Sequence, residues 1–167
     1  MAVEALKSTT LTNADATPVV LNNSRVARAA VQQAVGFATA DAVASIGSTY
    51  RLVRVPSNAC ALNVFLSHTA FTTTGATDIG VYQTAANGGA VVDADFFASA
   101  VLLTTLQNEL NVTHEAVVYG VGDKEKPLWE ALGLAADPKR DYDIALTLTA
   151  ANQTAAAKVA LRVQYTQ

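Results

Sequence analysis

The most regular alternation of apolar and polar side chains lies near the end of the chain. Five apolar residues fall on one side of an extended strand, with polar or small residues between them: Ala157, Val159, Leu161, Val163 and Tyr165. Residues 142–149 alternate in the same way, and the stretch between the two segments can turn the chain. The pattern therefore predicts a β-hairpin whose two strands each bury one face.

Four more strands are predicted upstream, separated by Pro, Gly and Asn turn residues. They lie at residues 50–55, 62–69, 79–84 and 116–121. In the second strand Leu62, Val64 and Leu66 share one face, which we expect to point into the core. Residues 93–103 fit either a strand or a short helix capped by Asp93. Short strands without long helical crossovers predict an all-β, mainly antiparallel β-sandwich or jelly roll with one or two short helices.

One short helix is specified by its own residues. Pro127 suits a first helical position, Leu128 and Leu132 lie one turn apart on a common face, and Gly133 can end the helix. A helix of two turns has too little intrinsic stability to stand alone. We therefore expect Leu128, Trp129 and Leu132 to act as a structural anchor that packs the helix on the sheet.

The first 32 residues show no sustained alternation and are rich in Ala, Thr, Asn and Val. At 167 residues the chain is long enough for one domain. We interpret residues 1–32 as an extended N-terminal arm and residues 33–167 as the β-sandwich domain. Val19, Val20 and Leu21 would anchor the arm to a neighbouring subunit. A poorly ordered terminus is the alternative interpretation.

The composition favours a protein that associates with other proteins. The chain is 51% hydrophobic and only 15% charged, against roughly 25% charged residues in an average globular protein. A net charge of −3 without basic clusters argues against a nucleic-acid partner. No apolar run approaches the roughly 20 residues that span a bilayer, and no secretion signal is visible, so we expect no membrane partner and synthesis in a cytoplasm.

The sequence offers little that could carry catalysis or bind a cofactor. There is no Gly-rich phosphate loop, nucleophile elbow or paired metal-ligand motif. His68 falls on the apolar face of a predicted strand, which favours a structural or interface role. Cys60 is the chain's single cysteine and is expected to be a small buried hydrophobe. We therefore expect no catalytic, metal or cofactor site and no enzymatic activity.

Two rival functions are compatible with the sequence. A hydrolase would need scattered carboxylates to converge in a cleft, drawn from Asp78, Asp93, Asp95 and Asp123. A carbohydrate-binding module would need aromatic rings on an exposed sheet face, drawn from Tyr50, Tyr82, Tyr119 and Trp129. We expect neither arrangement, because loop carboxylates are usually solvated and only 7% of the residues are aromatic.

Several segments resemble one class of viral protein. Residues 126–138, KPLWEALGLAADP, followed by YDIALTLT at 142–149, resemble the C-terminal third of small structural proteins of tailed bacteriophages, the head decoration or cement proteins. TDIGVY at 77–82 and DFFASA at 95–100 add to the resemblance. It implies a jelly-roll-like homo-oligomer in the virion, bound outside the capsid, with the major capsid protein and copies of itself as partners and no catalytic residues. A carbohydrate-binding or tail-fibre β-sandwich module is the alternative.

Overall fold

The computed structural model describes residues 6–150 and 156–167. Within these ranges the chain forms eight strands: β1 Val31–Ala40, β2 Thr49–Pro56, β3 Cys60–His68, β4 Ala76–Gln83, β5 Val91–Leu102, β6 Gln107–Asn111, β7 Asp141–Ala150 and β8 Ala157–Thr166. Two short α-helices, α1 Thr9–Ala14 and α2 Leu128–Ala131, and two 3₁₀ turns, Ala85–Asn87 and Val121–Glu125, complete the described elements.

The strands form two four-stranded antiparallel sheets that pack face to face. One sheet has the order β1-β8-β3-β6 and the other β2-β7-β4-β5. Strands adjacent in sequence mostly lie in opposite sheets, which is the jelly-roll arrangement. The predicted all-β, mainly antiparallel β-sandwich is therefore confirmed.

The core lies between the two sheets and is built from alternate residues of each strand. Leu62, Val64 and Leu66 are fully buried, as their shared face predicted. Val159 and Leu161 on β8 are also buried. Tyr142, Ile144 and Leu146 on β7 fill the core from the other sheet. Each sheet thus hides one face and leaves the other outside, where it can contact a partner.

The predicted hairpin between the last two strands is wrong. β7 pairs with β2 and β4, whereas β8 pairs with β1 and β3 in the other sheet. Both strands alternate because each buries one face, and the alternation does not reveal which strand lies alongside. Residues 151–155, where most of the turn was predicted, lie outside the described residues.

The structure also settles two other segments. Residues 93–103, which fitted either a strand or a helix, fall almost entirely in β5. The strand predicted at residues 116–121 is wrong, because this segment is a loop that leads into a 3₁₀ turn. Its Ala116 and Tyr119 N–H groups donate to the Phe97 and Phe96 carbonyls of β5, at 3.0 and 3.1 Å, but no continuous ladder forms.

The segment before β1 is not extended throughout. It contains α1, whose first turn is capped by the Ser8 hydroxyl, which accepts from the Leu11 N–H. Val31 pairs with Thr166 on β8, so the strand begins just inside the range assigned to the arm. We call residues 6–30 the N-terminal arm from here on.

The short helix is placed by its backbone as well as by its side chains. The Leu128 and Trp129 N–H groups donate to the Ala59 and Ser57 carbonyls at 2.8 and 3.0 Å, in the loop between β2 and β3. Leu128 is fully buried and Leu132 packs partly buried against the core, whereas Trp129 is only half-buried. The three residues of the expected anchor therefore differ in burial.

Leu128→Ala is expected to lower the free energy of unfolding by about 2 to 5 kcal/mol, the usual cost of truncating a fully buried leucine. Trp129→Ala should cost clearly less, because part of the indole already contacts water. Urea denaturation of the two variants beside the parent protein measures both. A larger loss for Trp129→Ala would mean that the indole, not Leu128, holds the helix on the sheet.

Candidate interaction surface

The outer face of the sheet β2-β7-β4-β5 carries ionic groups that are bonded to one another. The Arg54 Nε donates to the Asp143 Oδ1 at 2.7 Å, and the Arg51 Nη1 lies 3.6 Å from the Asp143 Oδ2. Arg51 also donates to the Gln83 carbonyl at 2.6 Å and lies over the Tyr82 ring. We call this the charged face.

The outer face of the sheet β1-β8-β3-β6 is nearly free of net charge, and we call it the neutral face. Arg162 lies near its middle, 4.2 Å from the centre of the Phe65 ring. Its Nε donates to the Glu109 Oε2 at 2.8 Å, and its Nη1 donates to the Gln33 Oε1 at 3.3 Å. The hydrogen bonds from Arg162 hold the pKa of Glu109 below its ordinary value. The charges of Arg162 and Glu109 cancel, and Lys158 is the remaining charged residue on these four strands.

Large apolar side chains stand outward along β1 on the neutral face. Val31, Val35 and Phe37 are all well exposed, and Phe37 is 62% exposed. Beside Phe37 lies a groove of about 170 Å³, bordered by Leu106 and Ala160 and by the polar residues Ser67, Asn108 and Lys158. Exposed apolar surface of this kind commonly marks a protein contact.

The N-terminal arm presents a second exposed apolar segment. Val19 and Val20 are exposed, and Leu21 at 92% is more exposed than any other large hydrophobic residue of the described chain. The Asn13 amide donates to the Asn22 side chain at 2.9 Å, and the Val20 N–H donates to the Asn13 carbonyl at 3.1 Å. These bonds fold the arm back on itself and hold Val19 to Leu21 at its surface.

The arm is bonded to the sandwich near the start of β1. The Thr166 hydroxyl, at the end of β8, donates to the Arg25 carbonyl at 2.6 Å. Val19, Val20 and Leu21, which were predicted to anchor the arm to a neighbouring subunit, precede Arg25 by four or more residues. They are accessible, and their role in binding remains a prediction.

Of the four carboxylates that a hydrolase would use, Asp93 and Asp95 interact with each other, and Asp78 and Asp123 are bonded elsewhere. Asp78 accepts from the Ala100 N–H at 2.8 Å, and Asp123 accepts from the Gly120 N–H and from Lys126, both at 2.8 Å. Burial, and then a side-chain hydrogen bond with the Asp95 carboxyl, raise the pKa of Asp93, although the backbone N–H of Asp95, which donates to Asp93 at 3.2 Å, opposes this. Within residues 6–150 and 156–167, no three His, Cys, Asp or Glu side chains are grouped to hold a metal.

The aromatic rings that a sugar platform would use are largely covered. Tyr82 and Tyr119 are buried, and Tyr50 and Trp129 are partly buried. The Tyr82 hydroxyl is also bonded to the Thr147 hydroxyl at 2.6 Å. Stacking against a sugar requires an open ring face, which favours the apolar surfaces described above over these four residues as contact sites.

The isolated Cys60 is buried, as predicted, and burial raises the pKa of its thiol. His68 is also buried, and its Nδ1–H donates to the Thr69 carbonyl at 2.9 Å while its ring meets Phe71 edge-on. Burial lowers the pKa of His68 below its ordinary value, although the bond to Thr69 opposes this. The imidazole is therefore held neutral inside the fold.

The lowered pKa of His68 predicts that the protein loses stability in mild acid. The unfolded chain takes up a proton near the ordinary histidine pKa of about 6.5, whereas the folded chain resists it. The contribution of neutral His68 to the free energy of unfolding is therefore fully present above about pH 6.5. It declines as the pH falls toward the lower pKa of His68 in the folded protein. Urea denaturation at pH 7.5 and 5.5 should show this loss, and His68→Phe should show less of it. Equal losses in both proteins would assign the effect to other groups.

The residues that sequence reasoning missed are those of the neutral face. Val35, Phe37 and the Arg162–Glu109 pair come together only when β1 and β6 take their places beside β8 and β3. A period-two run of small residues, Ala34, Gly36, Ala38 and Ala40, was the one signal for β1. No comparable signal marked β6, which has only five residues.

Comparisons with known proteins identify the fold and no family. No family model and no curated protein matches the sequence. A chain of the cyanophage Pam1 capsid asymmetric unit is similar in structure, with a TM-score of 0.50 and 13% identity over 83% of this chain and 85% of that chain. A chain of infectious bursal disease virus, Gx strain, gives 0.46 and 12% over 99% of this chain and 37% of that chain. None of the described helices is long and apolar enough to cross a membrane.

Proposed function

We propose that this chain is a structural subunit of a bacteriophage virion, a decoration or cement protein that binds the outside of the capsid and has no enzymatic activity. The observation that carries the proposal is the likeness in fold to a chain of the Pam1 capsid assembly. The likeness extends over most of both chains, 83% of this one and 85% of that one.

The surfaces of the chain suit such a role. A cement protein without disulfides can hold neighbouring coat proteins together only by burying surface against them. Burying an unpaired charge carries a large desolvation penalty. A face with a single unpaired cation and several exposed apolar side chains can therefore be covered by a partner with a small desolvation penalty. The neutral face and the arm offer this kind of surface, whereas the charged face is better suited to water.

Co-sedimentation with capsids stripped of this protein tests the proposed function. The purified chain should pellet with the stripped heads, saturate at a fixed ratio to the coat protein, and raise the temperature at which the heads rupture. Heads that gain neither the protein nor heat resistance would contradict a cement role. Binding to tails or fibres instead would favour the alternative of a tail or fibre module.

Removing residues 1–24 is expected to weaken capsid binding by about tenfold or more while the sandwich stays folded. This deletion keeps Arg25, whose carbonyl accepts from Thr166, and leaves β1 complete. The variant Val91→Glu, an exposed apolar position on the edge of the other sheet, is the control and should bind normally. Circular dichroism checks the fold. Unchanged binding of the deletion variant would show that the arm takes no part in the contact.

A further inference from the structure

We propose that two copies of this chain pair along the open edge of β1, antiparallel to each other about a two-fold axis at Gly36. The two sheets β1-β8-β3-β6 would then join into one continuous sheet. The inference goes beyond the proposed function, because it concerns how copies of this chain associate and needs no coat protein. It uses the backbone edge of β1 and leaves the outer faces of both copies open.

β1 lacks the features that usually keep the edge of a sheet from pairing. The edge strands are β1 and β6 in one sheet and β2 and β5 in the other. Soluble proteins commonly protect such edges with short strands, charged side chains, proline or bulges. β1 runs for 10 residues without a charge or a proline, and its register with β8 is continuous from end to end.

The other three edges of the described chain each carry such protection. β6 has only 5 residues and includes Glu109. β2 carries Arg51 and Arg54, and a bulge interrupts its ladder with β7. β5 carries Asp93, and the loop after β6 donates two backbone hydrogen bonds to its carbonyls, at 3.0 and 3.1 Å. The contrast singles out β1 as the edge that can accept a partner strand.

The hydrogen bonds of β8 show which backbone groups of β1 are available. The Thr69 N–H donates to the Lys158 carbonyl at 3.0 Å, and the Lys158 N–H donates to the Thr69 hydroxyl at 2.9 Å. Even-numbered residues of β8 therefore face β3, and odd-numbered ones face β1, where they lie opposite its even-numbered residues. The backbone groups left for the open edge are those of the odd-numbered residues Val31, Gln33, Val35, Phe37 and Thr39.

The space beside this edge is not taken by another strand of the described chain. β8 is the one strand paired with β1. Leu52 of β2 lies close to Gly36, but it lies where an inward Cβ atom of residue 36 would point. β2 therefore passes beneath β1 on the core side, and a partner strand can approach from the side at the usual spacing of about 4.8 Å.

The side chains of β1 match those of a second β1 when the pairing is centred on Gly36. Val35 of each copy then lies opposite Phe37 of the other, and Gln33 lies opposite Thr39. A β-branched residue opposite an aromatic one is a stabilising cross-strand pair. Moving one strand by two residues would place Phe37 opposite Gln33 or Val35 opposite Thr39, which pairs an apolar with a polar side chain. No charge meets a like charge, because β1 has none.

Backbone hydrogen bonds supply most of the contact. Four residue pairs around Gly36 turn their N–H and C=O groups toward each other, and each exchanges two bonds, which gives about eight in all. This number lies within the roughly 10 ± 5 of a typical interface. Since β8 already holds β1 extended, little backbone entropy is lost on pairing. The buried area stays below that of a standard interface, so we expect dimerisation to depend on protein concentration.

Amide hydrogen exchange at low and high protein concentration tests the pairing. In the monomer the N–H groups of Val35 and Phe37 should exchange fast, whereas β8 protects those of Ala34 and Ala38. At high concentration the odd-numbered amides should slow at least tenfold and the even-numbered ones should change little. Odd-numbered amides that stay fast in a dimer would overturn the proposal, as would a chain that remains monomeric at the highest attainable concentration.

Val35→Pro and Val35→Thr separate the backbone contact from the side chain. Proline removes the free N–H of residue 35 but no bond to β8, and the open side of an edge strand tolerates it. Val35→Pro should weaken dimerisation by about tenfold or more in sedimentation velocity, since each copy loses a hydrogen bond. Val35→Thr keeps the N–H and the branched shape and should dimerise much more like the parent. Equal dimerisation of the two variants would contradict pairing at this edge.

A charge pair tests the register without changing the backbone. Val35→Lys and Phe37→Glu should each weaken dimerisation, because each places a charge opposite an apolar side chain. The double variant should recover, since pairing about Gly36 brings each introduced ammonium opposite an introduced carboxylate. A double variant weaker than both single ones would show that residue 35 meets its own counterpart and would overturn this register.

Dimerisation and capsid binding can fail separately. Removing residues 1–24 leaves β1 complete and should not change dimerisation. A dimer that does not bind stripped heads would leave the pairing standing and remove the proposed function, and a monomer that binds them would do the reverse. Odd-numbered amides that slow only on the heads would show that a coat-protein strand occupies the edge, which overturns pairing between copies.

Discussion

Replacing Gly36 with alanine is expected to lower the free energy of unfolding by about 3 kcal/mol or more, or to prevent folding, because the residue lies directly against the backbone of β2 in the other sheet. A Cβ atom at this position would overlap the Leu52 carbonyl group. The register of β2 against β7 shifts between Arg51 and Val53, and Leu52 is left out of the ladder at this bulge. The obstacle is therefore backbone on a neighbouring strand, which cannot rotate away like a side chain.

Gly122→Ala is the matched control for this substitution. Gly122 lies in the 3₁₀ turn Val121–Glu125, and a Cβ atom there meets nothing within 4 Å. Its stability should stay within about 0.5 kcal/mol of the parent, as for most surface substitutions. Thermal denaturation followed by circular dichroism compares the three proteins. If Gly36→Ala and Gly122→Ala melt at the same temperature, the two sheets can move apart at this edge without loss of stability.

Gly36 also shows why the sequence did not reveal β1. The residues of this strand that face the other sheet are small, Ala34, Gly36, Ala38 and Ala40, because β2 passes close by. The large apolar residues Val35 and Phe37 stand on the outside. A hydrophobic pattern assigns large apolar residues to the core, and here the large ones face the solvent. The neutral face was missed for the same reason.

Where the core-facing residues are large, the sequence was a good guide. β8 alternates Leu and Val with polar or small residues, β3 does so except at Phe65, and the buried Leu and Val positions are the ones that the alternation indicated. Fold class followed from such strands and from the lack of long helical crossovers. Strand order did not follow, because an alternating strand records only that one of its faces is buried.

The accessible arm segment could be predicted, but its surroundings could not. Val19, Val20 and Leu21 stood out as apolar residues in a neutral stretch without strand periodicity. Nothing in the sequence indicated that Asn13 and Asn22 would fold the arm back and hold that segment outward. A bond between two side chains nine residues apart depends on backbone geometry that residue types alone do not specify.

An aromatic cluster at the edge of the second sheet should carry the other large effect on stability. Phe96 and Phe97 are consecutive and both buried, which a strand with two distinct faces does not normally allow. The loop after β6 makes this possible by covering the edge of β5. Its Tyr119 ring lies 5.6 Å from Phe96 and 5.4 Å from Phe97, and His114 stacks on Tyr119 at 5.3 Å.

Phe97→Ala is therefore expected to lower the free energy of unfolding by about 3 to 5 kcal/mol, since it leaves a cavity beneath the covering loop and removes two edge-on ring contacts. Phe37→Ala removes the same side chain from a position that is 62% exposed and should cost less than about 1 kcal/mol in dilute protein. Urea denaturation gives both values. Hydrogen exchange should also rise at the Ala116 and Tyr119 amides in Phe97→Ala, because their acceptors are the carbonyls of Phe97 and Phe96. Equal stabilities for the two variants would mean that the loop closes over the cavity and that the cluster does not hold this edge of the sheet.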